Sequence, residues 1–257
     1  MATYLDRILE RHRASAAEET RSLDALIDRV RATPSARGFA AAVAGSTSLA
    51  VISEIKRRSP SKGDLNRDLD PAMLAKTYED GGATCLSVLT DEEFFGGSVG
   101  DLQAARAACS IPVLRKDFTL SPYDVVDAKL MGADCLLLIA AALRPDDLGD
   151  LHSLAVELGL DVLVEIHDEH ELDIALGAGA RMVGVNQRDL VTFAVDHDRA
   201  VRVARLIPDG VVKIAESGVR NADDARSLRD AGYHAILVGE TLVTAADPRS
   251  AVAELRI

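Results

Sequence analysis

From Leu49 onward, short apolar runs of strand length alternate with stretches whose apolar positions recur every three or four residues. The runs lie at 49–55, 83–89, 111–115, 134–140, 161–166, 181–186, 211–216 and 235–239. Between them, helical patterns lie at 71–81, 98–109, 122–131, 145–158, 168–177, 196–206, 221–231 and 247–256. Gly82, Gly132, Gly159, Gly179 and Gly232 stand where a helix ends before the next strand. Two units, GGATCLSVLT (81–90) and MGADCLLLIA (131–140), look alike in detail. Eight strand–helix units predict a parallel α/β fold, and eight is the number that closes a (β/α)8 TIM barrel. A doubly wound open sheet would carry a GxGxxG turn after its first strand, and the sequence has none there.

The first 45 or so residues have another texture. Leu5, Ile8 and Leu9, then Leu23, Leu26, Ile27 and Val30, recur at helical spacing amid charge, predicting two amphipathic helices or one interrupted helix. TPSARG (33–38) breaks the run, and a short Ala-rich helix follows. The expected organisation is one barrel domain over residues 1–257, with 1–45 as a helical N-terminal extension. Packing is the plain role for that extension, though a helix across a barrel mouth would also enclose a substrate.

Composition narrows the function. The chain has 257 residues and a formal net charge of −12, which argues against a general grip on nucleic acid or anionic lipid. An anionic substrate remains compatible, because a few cations in a cleft reverse the local potential. The longest clean apolar run, 135–143, falls short of the roughly 20 residues of a spanning helix. Asp6 and Arg7 stand where a signal peptide needs apolar residues. Cys85, Cys109 and Cys135 are an odd count without CxxC spacing, so neither a disulfide framework nor a thiolate zinc site is expected. The chain reads as a cytoplasmic protein without nucleic-acid or membrane partners, and as a monomer, since no sustained apolar stripe is evident.

In a barrel, chemistry gathers at the C-terminal strand ends. The first strand ends in Glu54 and Lys56, two apart and so on one face, and the third runs into Arg115-Lys116-Asp117. The fifth ends in Glu165, the sixth in Asn186 followed by Arg188, the seventh in Glu216-Ser217-Gly218, and the eighth in Gly239-Glu240. Only six of the 29 basic residues are lysine, and two of those six stand on this rim. An amine with a tunable pKa donates a proton as arginine cannot. Lys116 is expected to be pushed down by Lys56 and up by Glu54 and Glu165, and Arg115, on the alternate face, to point out of the barrel.

A second constellation suits an anion. Gly218 and Gly239 let backbone N–H groups approach a ligand after the last two strands, where this fold often cradles phosphate. Ser59 adds a hydroxyl near the first strand, whereas Glu240 fits only with its carboxylate turned outward. A bulky residue at Gly239 is expected to raise KM with little effect on stability. His167 and His170 are three apart but lack a third ligand, so no metal site is expected.

At VISEIKRRSPSKG (51–63) the sequence strongly resembles the indole-3-glycerol phosphate synthase family, whose E-x-K-x-x-S-P-S signature on the first strand is distinctive. LRKDF (114–118), LVEIH (163–167), GVNQRDL (184–190), AESGV (215–219) and LVGETL (237–242) match in order, and YLDRILERHR resembles the family's helical extension. Arg58 stands where a small residue or lysine is common and Gln187 where asparagine often appears, and neither removes a group the chemistry needs. The resemblance implies closure of 1-(2-carboxyphenylamino)-1-deoxyribulose 5-phosphate to indole-3-glycerol phosphate in tryptophan biosynthesis, with loss of carbon dioxide and water.

By that resemblance Lys116 is the acid for ring closure. Lys56 holds the carboxylate and is a candidate acid for dehydration, and Glu165 and Glu54 are candidate bases. Asn186 and Glu216 orient the substrate and the lysines, Arg188 adds positive charge, and Ser59, Ser217, Gly218, Gly239 and the Glu240 backbone hold phosphate. No metal or organic cofactor is implied. Among rivals, phosphoribosylanthranilate isomerase would place a cysteine on the first strand and an aspartate on the sixth, and a Schiff-base aldolase would use a rim lysine as nucleophile. A non-catalytic phosphate-binding barrel would leave both rim lysines unexplained.

Overall fold

Alternating inward and outward side chains let each strand face two cores at once, and that alternation builds the molecule. A computed structural model describes residues 3–189 and 191–257. Leu190, the last residue of GVNQRDL, lies outside the described residues, as do Met1 and Ala2. Three helices come first: α1 (Tyr4–Ala17), α2 (Leu23–Val30) and α3 (Phe39–Ala44). Then follow β1 (Ala50–Ile55), a small hairpin of β2 (Arg58–Ser59) and β3 (Gly63–Asp64), α4 (Pro71–Asp80), β4 (Cys85–Leu89), α5 (Glu92–Phe95) and α6 (Val99–Ala108). The middle of the chain gives β5 (Val113–Lys116), α7 (Pro122–Met131), β6 (Cys135–Ile139), α8 (Pro145–Glu157), β7 (Asp161–Ile166), α9 (Glu169–Gly177) and β8 (Met182–Asn186). It closes with α10 (His197–Ala204), β9 (Val212–Glu216), α11 (Ala222–Asp230), β10 (Ala235–Val238), α12 (Glu240–Val243) and α13 (Pro248–Leu255).

The strands β1, β4, β5, β6, β7, β8, β9 and β10 pair in parallel in that order, and β10 returns to β1, closing a TIM barrel. Apolar outward residues such as Val51, Leu86, Val113, Val164 and Ile236 pack against the helices. Inward residues, including Ile52, Leu114, Leu137, Leu163, Met182 and Ile214, fill the barrel. All five glycines predicted to end helices have positive φ, between 73 and 96°. No helix among the described residues is long and apolar enough to cross a membrane.

The N-terminal helices are spread over the barrel. At its lower end α3 closes the floor: the Ala40 N–H donates to Asp161 at 2.9 Å and the Arg37 N–H to Asp134 at 2.9 Å, both at the starts of strands. Along the side, Leu26 and Val30 of α2 pack on Val126 of α7. At the upper end α1 lies against the loops that follow the strands, with the Tyr4 ring edge-on to Phe94 and Phe193 at 5.8 and 6.0 Å.

The sequence pattern did not reveal β2, β3, α5 and α12, and all four belong to loops on the upper rim. Elements of two to four residues are too short to show a hydrophobic period.

Candidate active site

Even-numbered positions on β1 and β5 and their partners around the barrel turn five polar side chains into its upper end. Glu54, Glu165, Asn186 and Glu216 are buried, and Lys116 keeps 16% of its side chain exposed. The Lys116 ammonium lies 3.3 Å from Glu165 Oε2 and 3.2 Å from Glu216 Oε2, bridging β7 and β9 from β5. Asn186 Nδ2 donates to Glu165 Oε1 at 3.0 Å. Lys56, just past β1, pairs with Glu54. Arg115 points outward as expected, its guanidinium donating to Asp117 and the Asp124 carbonyl, each at 3.0 Å.

The Glu54–Lys56 pair is balanced as a unit, so Lys116 faces two carboxylates with one charge. Burial pushes the Lys116 ammonium down, but Glu216, Glu165 and Glu54 together outweigh it and its pKa is raised. Of the two opposed influences expected on it, that of the carboxylates prevails. Burial also pushes Glu165 up, but Lys116, His167 and the Asn186 amide prevail, and it is held below its ordinary value. Glu216 yields instead. Burial, with Glu165 and Glu54 adding to it against Lys116, raises its pKa to about 8.

A glycine explains why Glu216 is so dry. Its Oε1 has no hydrogen-bond partner and sits over Gly184 on β8, where a Cβ would collide with it. Gly184 is a site residue that the sequence reading missed, and the signal was a glycine inside a strand, which marks a close approach. A stability slope follows. Between about pH 4.5 and 8 the folded chain keeps a proton on Glu216 that the unfolded chain has lost, so this group lowers stability as pH rises. Glu216→Gln should therefore stabilise the fold progressively from pH 5 to pH 9 relative to the parent. Denaturant midpoints that run parallel across that range would contradict the raised pKa.

Above these groups opens a cavity of about 400 Å³, in the range of small-molecule sites. One wall, from the β4–β6 side, is apolar, with Leu89, Phe95, Phe118, Leu137 and Ile139. The opposite wall holds Ser217, Gly218, Gly239 and Thr241, and the hairpin carrying Ser59 joins it. The Lys62 N–H donates to Ser59 Oγ at 3.3 Å, and Lys62 Nζ lies 3.6 Å from Glu240 Oε1. The Glu240 carboxylate thus turns outward to a lysine, clear of the cavity floor. Arg188 also lines the cavity and donates to the Phe193 carbonyl at 3.2 Å. The Gly239 expectation changes. A Cβ there would strike Glu54 and come within 3.1 Å of Lys56 Nζ, so a bulky residue would damage kcat along with KM.

The model of the family described as indole-3-glycerol phosphate synthase matches residues 5–255. The chain belongs to the indole-3-glycerol phosphate synthase family. The indole-3-glycerol phosphate synthase of Mycolicibacterium vanbaalenii is 50% identical over 256 residues, covering 99% of this chain and 94% of that one. That of Chlorobium phaeovibrioides is 46% identical, covering 96% and 97%. Among solved structures, thiamine phosphate pyrophosphorylase from Pyrococcus furiosus superposes with a TM-score of 0.59 at 16% identity, covering 80% of this chain and 93% of that one. The N-acetylmannosamine-6-phosphate 2-epimerase from Clostridium perfringens gives 0.60 at 15%, covering 75% and 86%. These two share the barrel alone. The activity is that of an indole-3-glycerol phosphate synthase, a carboxy-lyase of tryptophan biosynthesis.

Two histidines join this family site by tertiary contact. His167 and His170 part company, as His170 is exposed while His167 Nδ1 meets Glu171 at 3.0 Å and Nε2 faces Glu165 at 3.7 Å. Burial pushes the His167 imidazole down, but Glu171 and Glu165 outweigh it and raise its pKa. Facing Glu165, it helps hold that carboxyl below its ordinary value. His12 of α1 reaches across the mouth to Asp91 at 3.0 Å and Asp117 at 3.8 Å. Those three groups lie close enough together to hold a metal ion, a cluster absent from the sequence reading. Their oxygens are already engaged: Asp91 Oδ1 caps α5 through Phe94 N at 2.6 Å, and Asp117 accepts from Arg115 and Thr90. The donor set thus suits a clamp of α1 onto the rim better than a metal centre.

Proposed function

We propose that this cavity closes 1-(2-carboxyphenylamino)-1-deoxyribulose 5-phosphate, with Lys116 as the acid of ring closure and Glu165 as the base of dehydration. The observation that carries the reading is the Lys116 ammonium held between Glu165 and Glu216 at 3.3 and 3.2 Å, below one apolar and one glycine-rich wall. The phosphate lies against Ser59, Ser217, Gly218, Gly239 and the Glu240 backbone, and the arene against Phe118 and Ile139. The substrate carboxylate meets Lys56, with Arg188 adding positive charge.

As the ring carbon bearing the carboxylate attacks C2, the carbonyl oxygen takes a proton from Lys116 and becomes a hydroxyl. Fixed charge where a new charge develops is what accelerates such a step. Carbon dioxide departs and its bonding pair restores the ring. The Lys116 amine is then 3.2 Å from Glu216, whose carboxyl holds a proton up to about pH 8 and can return one. In the last step Lys56 protonates the departing C2 hydroxyl, Glu165 removes a proton from C1, and the C1–C2 double bond completes the indole. Asn186 fixes Glu165 for that transfer.

The large exposed apolar residues Met73, Val99, Val156, Val191 and Leu206 lie on separate segments, which supports a monomer. Three unpaired cysteines fit the reducing cytoplasm. The test is a continuous fluorescence assay of indole-3-glycerol phosphate formation, run beside the isomerase substrate phosphoribosylanthranilate. Turnover is expected with the carboxyphenylamino substrate alone. Isomerisation without indole formation would sink the assignment.

A further inference from the structure

Ser217 has φ of 67°, one of two non-glycine residues with positive φ among those described. Such a conformation persists where its surroundings impose it. Two side-chain hydrogen bonds do so here. Ser217 Oγ donates to Asn186 Oδ1 at 2.9 Å, and Gln187 Nε2 donates to the Ser217 carbonyl at 2.8 Å. Gln187 follows β8 with its side chain turned out of the barrel and is completely buried. It is not among the residues that line the cavity, so it acts there through the lining residues it holds, Ser217 and His197.

Its orientation is set by elimination. A backbone carbonyl only accepts, so the Gln187 amide nitrogen faces Ser217 and Oε1 faces the other way. There it meets His197 Nδ1 at 3.1 Å, and Nδ1 must carry the hydrogen. His197 opens α10, and its Cε1 lies 2.9 Å from where a Cβ on Gly218 would sit. The chain of contacts therefore runs from His197 through Gln187 to the Ser217–Gly218 peptide. That peptide is planar and trans, so its carbonyl and its N–H point in opposite directions. With the carbonyl drawn back to Gln187, the Gly218 N–H is turned toward the side where Ser217 and Gly218 line the cavity.

We infer that Gln187, locked by His197, is a positioning residue for anion binding: it holds the Ser217–Gly218 peptide so that the Gly218 N–H faces the substrate phosphate. This rests on the reading that places phosphate at the Ser217–Gly218 and Gly239 turns. It predicts that the pair governs affinity for the phosphate end and leaves the proton transfers at Lys116 and Glu165 alone.

The test measures KM, kcat and inhibition by inorganic phosphate. Gln187→Met keeps the length and removes the donor, and a lost hydrogen bond to a charged ligand should raise KM and weaken phosphate inhibition by roughly tenfold. Its kcat should change by less than about threefold, a split that general loosening of the barrel would not give. His197→Leu should shift KM in the same direction, while His197→Asn, whose Nδ2 can stand in for the ring Nδ1, should restore it. These two variants also carry the test if Gln187→Met fails to fold. Gly218→Ala probes the cradle separately, since its Cβ would meet Val195 Cγ1 at 2.6 Å and His197. If Gly218→Ala raises KM and the Gln187 and His197 variants do not, the cradle stands and the positioning role is overturned. If none of them moves KM or phosphate inhibition, the phosphate lies elsewhere and both readings fall. A drop in kcat at constant KM would also overturn the inference.

Discussion

Lys116→Met should lower kcat by about 10²–10⁴-fold, the usual worth of a positioned general acid. Methionine fills much the same volume, so the substrate should still bind and KM should change far less. Lys116→Arg should not rescue turnover, because guanidinium is too weak an acid and too wide for the space between Glu165 and Glu216. Stability should fall as well. The folded pKa of Lys116 is raised, so its stabilising contribution is present at neutral pH and would be lost only as pH rose through that value. Removing the cation takes that contribution away and leaves Glu165 and Glu216 facing each other in a dry floor, at a cost of up to about 3–5 kcal/mol. Their carboxyls then hold protons more tightly, so the variant should lose most stability toward alkaline pH. A Met variant with near-normal kcat would reduce Lys116 to a brace of the rim and make Lys56 the leading acid.

Glu165→Gln should also cut kcat by about 10²-fold or more, because it removes the base while preserving shape and the contact to Asn186. Glu165 is held below the ordinary carboxylate range by Lys116, His167 and Asn186, so it is ionised throughout the neutral range. The parent enzyme should therefore show no loss of kcat from this group until pH drops below about 4.5, its ordinary value. The companion variant Glu54→Gln separates the two candidate bases. Glu54 pairs with Lys56 at the end of β1, so its loss should disturb carboxylate binding and raise KM. If Glu54→Gln abolishes turnover while Glu165→Gln keeps more than about a tenth of it, the base is Glu54.

Much of the site was legible as a list of residues. Period-2 alternation fixes which strand positions face inward, so Glu54, Lys116, Glu165, Asn186 and Glu216 could be assigned to one rim from sequence, and the structure brings them together. The direction of the Lys116 shift was not legible. It depends on which of three carboxylates and one lysine stands nearest, and those groups lie up to about a hundred residues from Lys116 along the chain. Gly184 carries no chemistry of its own, and its part is visible only once Glu216 Oε1 is seen above it. His12 reads as one charged residue on an amphipathic helix, because the helix period says which face is buried and nothing about what that face meets.

The sequence by itself determined the barrel, the strand that bears each rim residue, and the family, because all three follow from local periodicity and short motifs. Tertiary structure alone decided that Glu216 keeps the proton while Glu165 gives it up, that α1 is clamped over the mouth, and that Gln187 stands behind the Ser217 carbonyl. Each of those depends on distance and burial between segments remote in the chain. Coulombic and desolvation effects act through space over a few ångströms, and a pattern along the chain does not encode them.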